Sequence, residues 1–165
     1  MALAPRSLAI TVFTCRSVAI ILQVASLTYV LMAEELGFSV FIFLKLVLAA
    51  ELILNSARLL YDGTQAFLHQ PLPAERWMMS ALVAVDLVML HAFFAAGASS
   101  LGVVDYLDKT MRQCALLPSH ACDRFWASGI LTVLASAFTV PVIIIMFRLH
   151  VIWEWDHAAA AAAHA

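Results

Sequence analysis

The chain is 165 residues long, 64% apolar and only 12% charged, with a mean hydropathy of +0.96, whereas a soluble domain carries roughly 45–50% apolar and about 25% charged residues. One soluble core of this length has no room for so much apolar surface, so the surrounding solvent must be lipid; a cytosolic enzyme, a disordered tail and a secreted disulfide mini-protein are excluded. Nine Lys and Arg against eleven Asp and Glu give a net charge of −2, spread too thinly for a nucleic-acid-binding stripe.

Four apolar stretches follow one another, at residues 7–32, 37–60, 77–104 and 126–153. Each can cross a hydrocarbon core of about 30 Å at roughly 1.5 Å per helical residue. They predict an all-α membrane protein, a four-transmembrane-helix bundle occupying residues 1–156. The Ala-rich, low-complexity tail at 157–165 is assigned no role. The first stretch is too long for a signal peptide, carries Arg16, and ends in Tyr29-Val30-Leu31-Met32 without a small-residue cleavage pattern, so it reads as a retained span. Trp77, Trp126 and Trp153 sit at span edges, where amphipathic rings prefer the headgroup region. In the third span Ala92, Ala96 and Ser100 recur every fourth residue, as do Ser128, Thr132 and Ser136 in the fourth. Such small-residue stripes let helices approach closely in lipid, and they suit either a seam within one chain or an oligomer face. Pro141 is expected to kink the fourth span.

An even number of spans leaves both termini on one side. That side carries Arg6, Arg58, Arg76 and Arg148; the other carries Lys109, Arg112 and Arg124. The positive-inside rule then places the termini in the cytosol. The loop at 105–125 contains Cys114 and Cys122 around a turn with Pro118, and the lone His120 supplies no metal-site spacing. In an oxidising exterior the two thiols can close a short loop, worth about 2–3 kcal/mol in the chain-entropy model. The other reading is two unrelated free thiols.

Five ionisable residues fall inside spans: Arg16, Lys45, Glu51, Asp86 and His91. Each costs about 2.5–3.5 kcal/mol at a span centre on the insertion scale and therefore needs a reason. Arg16, Glu51 and Asp86 each lie about nine residues from the inner end of their span, which puts them at one level, roughly 13–14 Å from the cytosolic edge. Arg16 is expected to pair with Asp86 through two parallel hydrogen bonds, with Glu51 either joining them or pairing with Lys45. His91 is five residues beyond Asp86, about 140° round the helix, and does not share its face. One reading is a buried ion pair that fixes helix register. The other is a polar path for a small channel or transporter using Arg16, Glu51, Asp86 and His91. No metalloprotease, nucleophile-elbow, phosphate-loop or Cys-x-x-Cys motif occurs, so the expectation is a protein without enzymatic activity, cofactor or metal.

Three segments also carry a family likeness. Span one reads Arg16-Ser17-Val18-Ala19 and continues to Leu27-Thr28-Tyr29-Val30-Leu31-Met32. Span three reads Asp86-Leu87-Val88-Met89, then Ala95-Ala96-Gly97-Ala98-Ser99-Ser100. The outer loop offers Cys114 and Cys122-Asp123-Arg124-Phe125 before a fourth helix rich in small residues. In that order and spacing, over residues 16–150, the chain resembles the plant Casparian strip membrane domain-like proteins, tetraspan relatives of the MARVEL group. The resemblance implies a plasma-membrane location, cytosolic termini, and association with itself or with related tetraspan proteins into scaffolds that organise a membrane domain and recruit cell-wall-modifying partners. It maps the family's intramembrane arginine and aspartate onto Arg16 and Asp86. The first outer connection here, residues 33–36, is shorter than in the strip-forming members. The expected function is thus a non-enzymatic membrane scaffold whose partners are lipid and other tetraspans, not nucleic acid.

Overall fold

A computed structural model describes residues 6–33, 39–68, 76–110, 114 and 120–163. Residues 34–36 of the first connection, Arg112 and the last two residues of the tail lie outside them, as do the side chains of Arg6, Arg76 and Trp153. The described residues form four α-helices: α1 (Arg6–Met32), α2 (Ser39–Leu68), α3 (Arg76–Lys109) and α4 (Ala121–Ala163). Each holds an apolar segment long enough to cross a membrane, Ser7–Met32, Ser39–Thr64, Ser80–Lys109 and Ala121–Ile152. The protein is an all-α, four-helix, multi-pass membrane bundle.

The helices outrun the predicted spans because hydropathy ends before helical hydrogen bonding does. α2 continues past Leu60 to Leu68, through Gly63. α4 continues into the alanine run as far as Ala163 and passes through Pro141 without a break.

Contacts run around a square, α1 to α2, α2 to α3, α3 to α4 and α4 back to α1. The residue pairs fix each neighbour as antiparallel: Gln23 meets Asn55 and Arg16 meets Asp62, while Ser26 meets Ser128 and Ser80 meets His150. One end of the bundle therefore holds the chain termini and the other the 105–125 loop. The small-residue stripes lie inside this square. Ala96, Ser100, Ser128, Thr132 and Ser136 are buried, with Ala92 half-buried, so they form a seam within one chain. A Cβ on Gly97 would come within 2.9 Å of Thr132 Cγ2, and one on Gly129 within 2.7 Å of Leu101. Glycine is what permits α3 and α4 to touch there. Ser26 completes the seam from α1, its hydroxyl 2.7 Å from Ser128 Oγ and 2.9 Å from Thr132 Oγ1.

Two apolar clusters pack the ends. Toward the loop end, Val30, Phe41, Leu44, Phe93 and Phe125 form the larger one, and the Phe41 and Phe125 rings stack with centroids 3.9 Å apart. Toward the termini, Val12, Val142, Met146 and Leu149 form the smaller. The Arg124 guanidinium donates to the Met32 carbonyl, which satisfies an acceptor left open at the end of α1. Outside, large apolar side chains such as Ile21, Leu46, Ile53, Val88, Phe94 and Ile144 are exposed, as lipid-facing surfaces require.

Cys114 and Cys122 are joined, with S–S 2.01 Å and Cα–Cα 5.7 Å, and Cys15 is a free, half-buried thiol. Peptide mapping without reductant should recover Cys114 linked to Cys122 and Cys15 alone. Reduction should lower the unfolding free energy by about 2–3 kcal/mol, the loop-closure value for so short a ring. Equal alkylation of all three thiols before reduction would contradict the assignment.

Candidate functional site: a buried ion network

Between the two apolar clusters lies a layer of charged and amide side chains at 6% exposure or less: Arg16 and Gln23 from α1, Glu51, Asn55 and Asp62 from α2, and Asp86 from α3. α2 supplies most of it. Glu51, Asn55, Arg58 and Asp62 stand at i, i+4, i+7 and i+11, the spacing that stacks side chains on one helical face. That face looks into the square, and α1 and α3 reach it from either side.

Arg16 is the centre. Its Nε donates to Asp62 Oδ2 at 2.6 Å and its Nη1 to Asn55 Oδ1 at 2.8 Å, while Nη2 stands 3.6 Å from Asp86 Oδ2. Asp86 is held on its other oxygen by Arg58, whose Nη2 also donates to the Leu82 carbonyl at 3.2 Å. The charges thus alternate Asp62, Arg16, Asp86, Arg58 across three helices. Alternation of this kind satisfies each ion by neighbours instead of solvent. Asn55 carries the network onward, its Nδ2 donating to Glu51 Oε1 at 3.1 Å and to Gln23 Oε1 at 3.3 Å.

The sequence placed Arg16, Glu51 and Asp86 at one depth, and the structure gathers all three in this layer. The expected pairing differs in detail. Arg16 and Asp86 share one long contact in place of two parallel hydrogen bonds, because Asp62 and Asn55 take the Nε and Nη1 edges of the guanidinium and Arg58 takes Asp86. Glu51 bonds Asn55 and neither guanidinium, and Lys45, six residues away on the same helix, is half-buried on another side. Four members were missed: Gln23, Asn55, Arg58 and Asp62. A hydropathy window ends span two at Leu60 and assigns Arg58 and Asp62 to the water-facing edge. The i, i+4, i+7, i+11 stripe was the signal that reassigns them to the core.

His91 stays outside the layer, exposed on α3 with its Nδ1 2.7 Å from the Leu87 carbonyl. It borders an apolar groove of about 390 Å³ between α3 and α4, lined also by Phe94, Ser136 and Val140. Among the described residues no three His, Cys, Asp or Glu side chains converge as metal ligands. The network's contacts are electrostatic: Asp62, Arg16, Asp86 and Arg58 offset one another and tie α1, α2 and α3 together. No protein-family model, no curated protein and no solved structure matches the chain.

Proposed function

We propose that the protein is a non-enzymatic, multi-pass plasma-membrane scaffold that associates laterally, with copies of itself or with related tetraspan proteins, to organise a membrane domain. The observation that carries this reading is how the intramembrane charges are used. Arg16, Arg58, Asp62 and Asp86 are consumed in contacts with one another, and apolar clusters lie beyond them toward both ends of the bundle. Such a layer sets helix register and leaves the outer apolar faces as the working surface. The rival reading, a channel or transporter built on Arg16, Glu51 and Asp86, asks for polar side chains at successive depths on facing helices. Among the described residues, buried hydroxyls continue the layer to Ser26, Ser100, Ser128 and Thr132, and the stacked Phe41 and Phe125 follow. The resemblance to the Casparian strip membrane domain-like family supports the plasma-membrane location and cytosolic termini.

Donor- and acceptor-labelled copies in lipid vesicles test the association directly. Energy transfer should persist as the vesicles are diluted with lipid, and a signal that falls to the random-collision value would sink the scaffold reading. Selective ion or solute flux in the same vesicles would move the assignment to the channel. Orientation has its own check. In intact cells a membrane-impermeant thiol reagent should reach Thr110→Cys, at the exposed loop end of α3, and miss Phe67→Cys, exposed near the end of α2. The reverse labelling would invert the topology.

A further inference from the structure

The buried layer does not balance its charge. It holds three carboxylates, Glu51, Asp62 and Asp86, and two guanidiniums, Arg16 and Arg58. Asp62 touches Arg16, and Asp86 touches both arginines. Glu51 is the carboxylate left over. It is 3% exposed, touches no guanidinium, and its Oε2 has no hydrogen-bond partner among the described residues.

Donor logic fixes which oxygen is left. A guanidinium only donates, so Asn55 must turn Oδ1 toward Arg16 Nη1. Its NH2 group then faces Glu51 and Gln23, and both must answer with an oxygen, as they do at 3.1 and 3.3 Å. Glu51 Oε1 and Gln23 Oε1 are thereby spent. Glu51 Oε2 and Gln23 Nε2 remain, both buried and unpartnered. An ionised carboxylate with one oxygen unmet, in a layer whose other four charges already cancel, is among the most costly arrangements a membrane interior can hold.

We propose that Glu51 is a proton-binding site: Oε2 carries a proton in the resting protein at neutral pH, and the layer is electrically neutral only with that proton bound. A carboxylic acid keeps the observed bond, since its carbonyl oxygen still accepts from Asn55. A metal or alkali cation fits less well. Such an ion needs several converging oxygens, the carboxylates here do not converge as ligands, and Arg16 is one side chain away through Asn55. The charged groups that share the layer with Glu51 are Arg16 on α1, Arg58 and Asp62 on α2, and Asp86 on α3, while Lys45 on α2 is half-buried on another side of the helix. Of the described charged residues of α4, Asp123 and Arg124 lie at the loop end and Arg148 is exposed, so α4 offers no counter-ion. Loss of the proton leaves a bare charge between α1 and α2 and loosens that contact.

Infrared spectroscopy of the full-length protein in lipid nanodiscs tests this, through the carbonyl stretch of a protonated carboxylic acid, which is separate from the carboxylate bands. The band should be present at neutral pH, shift in D2O, disappear on alkalinisation and return on reacidification. Carboxyl-13C glutamate should move it and carboxyl-13C aspartate should not, an assignment that needs no variant. Glu51→Gln, which keeps an oxygen for Asn55 and carries no charge, should fold and lack the band. Absence of the band in the wild type, its movement with labelled aspartate, or its persistence in Glu51→Gln would overturn the proposal. Its loss on adding sodium or potassium at fixed pH would overturn it too, in favour of a cation site.

Discussion

Replacing Arg16 with leucine should lower the unfolding free energy in detergent micelles by about 3–5 kcal/mol, the usual cost of removing one partner from a buried ion pair. Asp62 would lose a 2.6 Å contact and Asn55 the donor that orients its amide. The stranded Asp62 carboxylate, not the lost attraction, supplies most of the penalty. Arg16→Leu combined with Asp62→Leu should therefore recover a large part of the loss, because two apolar side chains carry no desolvation cost. Arg16→Leu with Asp86→Leu should recover less, since Asp86 keeps Arg58 in either background. Arg16→Lys should not rescue: an ammonium has no planar fork with which to serve Asp62 and Asn55 together. Double-mutant cycles rank the couplings. A stronger coupling of Arg16 to Asp86 than to Asp62 would refute the arrangement.

The second large effect is expected at Gly97. An added Cβ would lie 2.9 Å from Thr132 Cγ2, 3.1 Å from Thr132 Cβ and 3.2 Å from Val133 Cγ2. Thr132 has little room to give, because its hydroxyl donates to the Ser128 carbonyl at 2.8 Å and lies 2.9 Å from Ser26 Oγ. Gly97→Ala should push α3 off α4 and cost about 1–3 kcal/mol, the range for overpacking a tight contact. Gly97→Val should cost more. Gly129→Ala should be comparably destabilising, because its Cβ would meet Leu101 Cγ and Cδ2 at 2.7 Å and the buried Ser100 Oγ at 2.9 Å. Thr132→Ser removes the Cγ2 methyl, keeps the hydroxyl, and should partly rescue Gly97→Ala. Unfolding curves that leave Gly97→Ala or Gly129→Ala as stable as the wild type would contradict this close approach.

Much of this architecture was legible in the sequence, and the reasons are physical. Four helices follow from the thickness of a bilayer and the requirement that every backbone polar group be satisfied within its own segment. The shared level of Arg16, Glu51 and Asp86 follows from counting residues along antiparallel spans. Pairing did not follow from depth alone. Depth says which charges lie at one height and nothing about which face of its helix each occupies. Arg58 and Asp62 lie one and two turns nearer the chain termini than Asn55, and long side chains close that gap by reaching along the helix. Asn55 and Gln23 were passed over because neither is charged, yet the amides settle which atoms of the network stay unpaired. The small-residue stripes were visible as stripes. Whether they faced a neighbour in the same chain or another copy depended on the rotation of α3 against α4, which periodicity does not give and which the close approach at Gly97 and Gly129 shows.

The seam between α1 and α4 joins residues that leave the ribosome far apart in time. Ser26 meets Ser128 and Thr132 across 102 and 106 residues of chain, whereas Arg16 meets Asn55 and Asp62 across 39 and 46. Arginine in a newly inserted α1 can thus be neutralised as soon as α2 enters the bilayer, and Asp86 and Arg58 find each other with α3. The hydroxyl face of α1 waits longest. Until α4 is synthesised, Ser26 and the α3 surface at Gly97 lack the Ser128 and Thr132 side chains that cover them. The charged contacts therefore need only the first three helices, whereas the hydroxyl seam cannot close before the fourth is present.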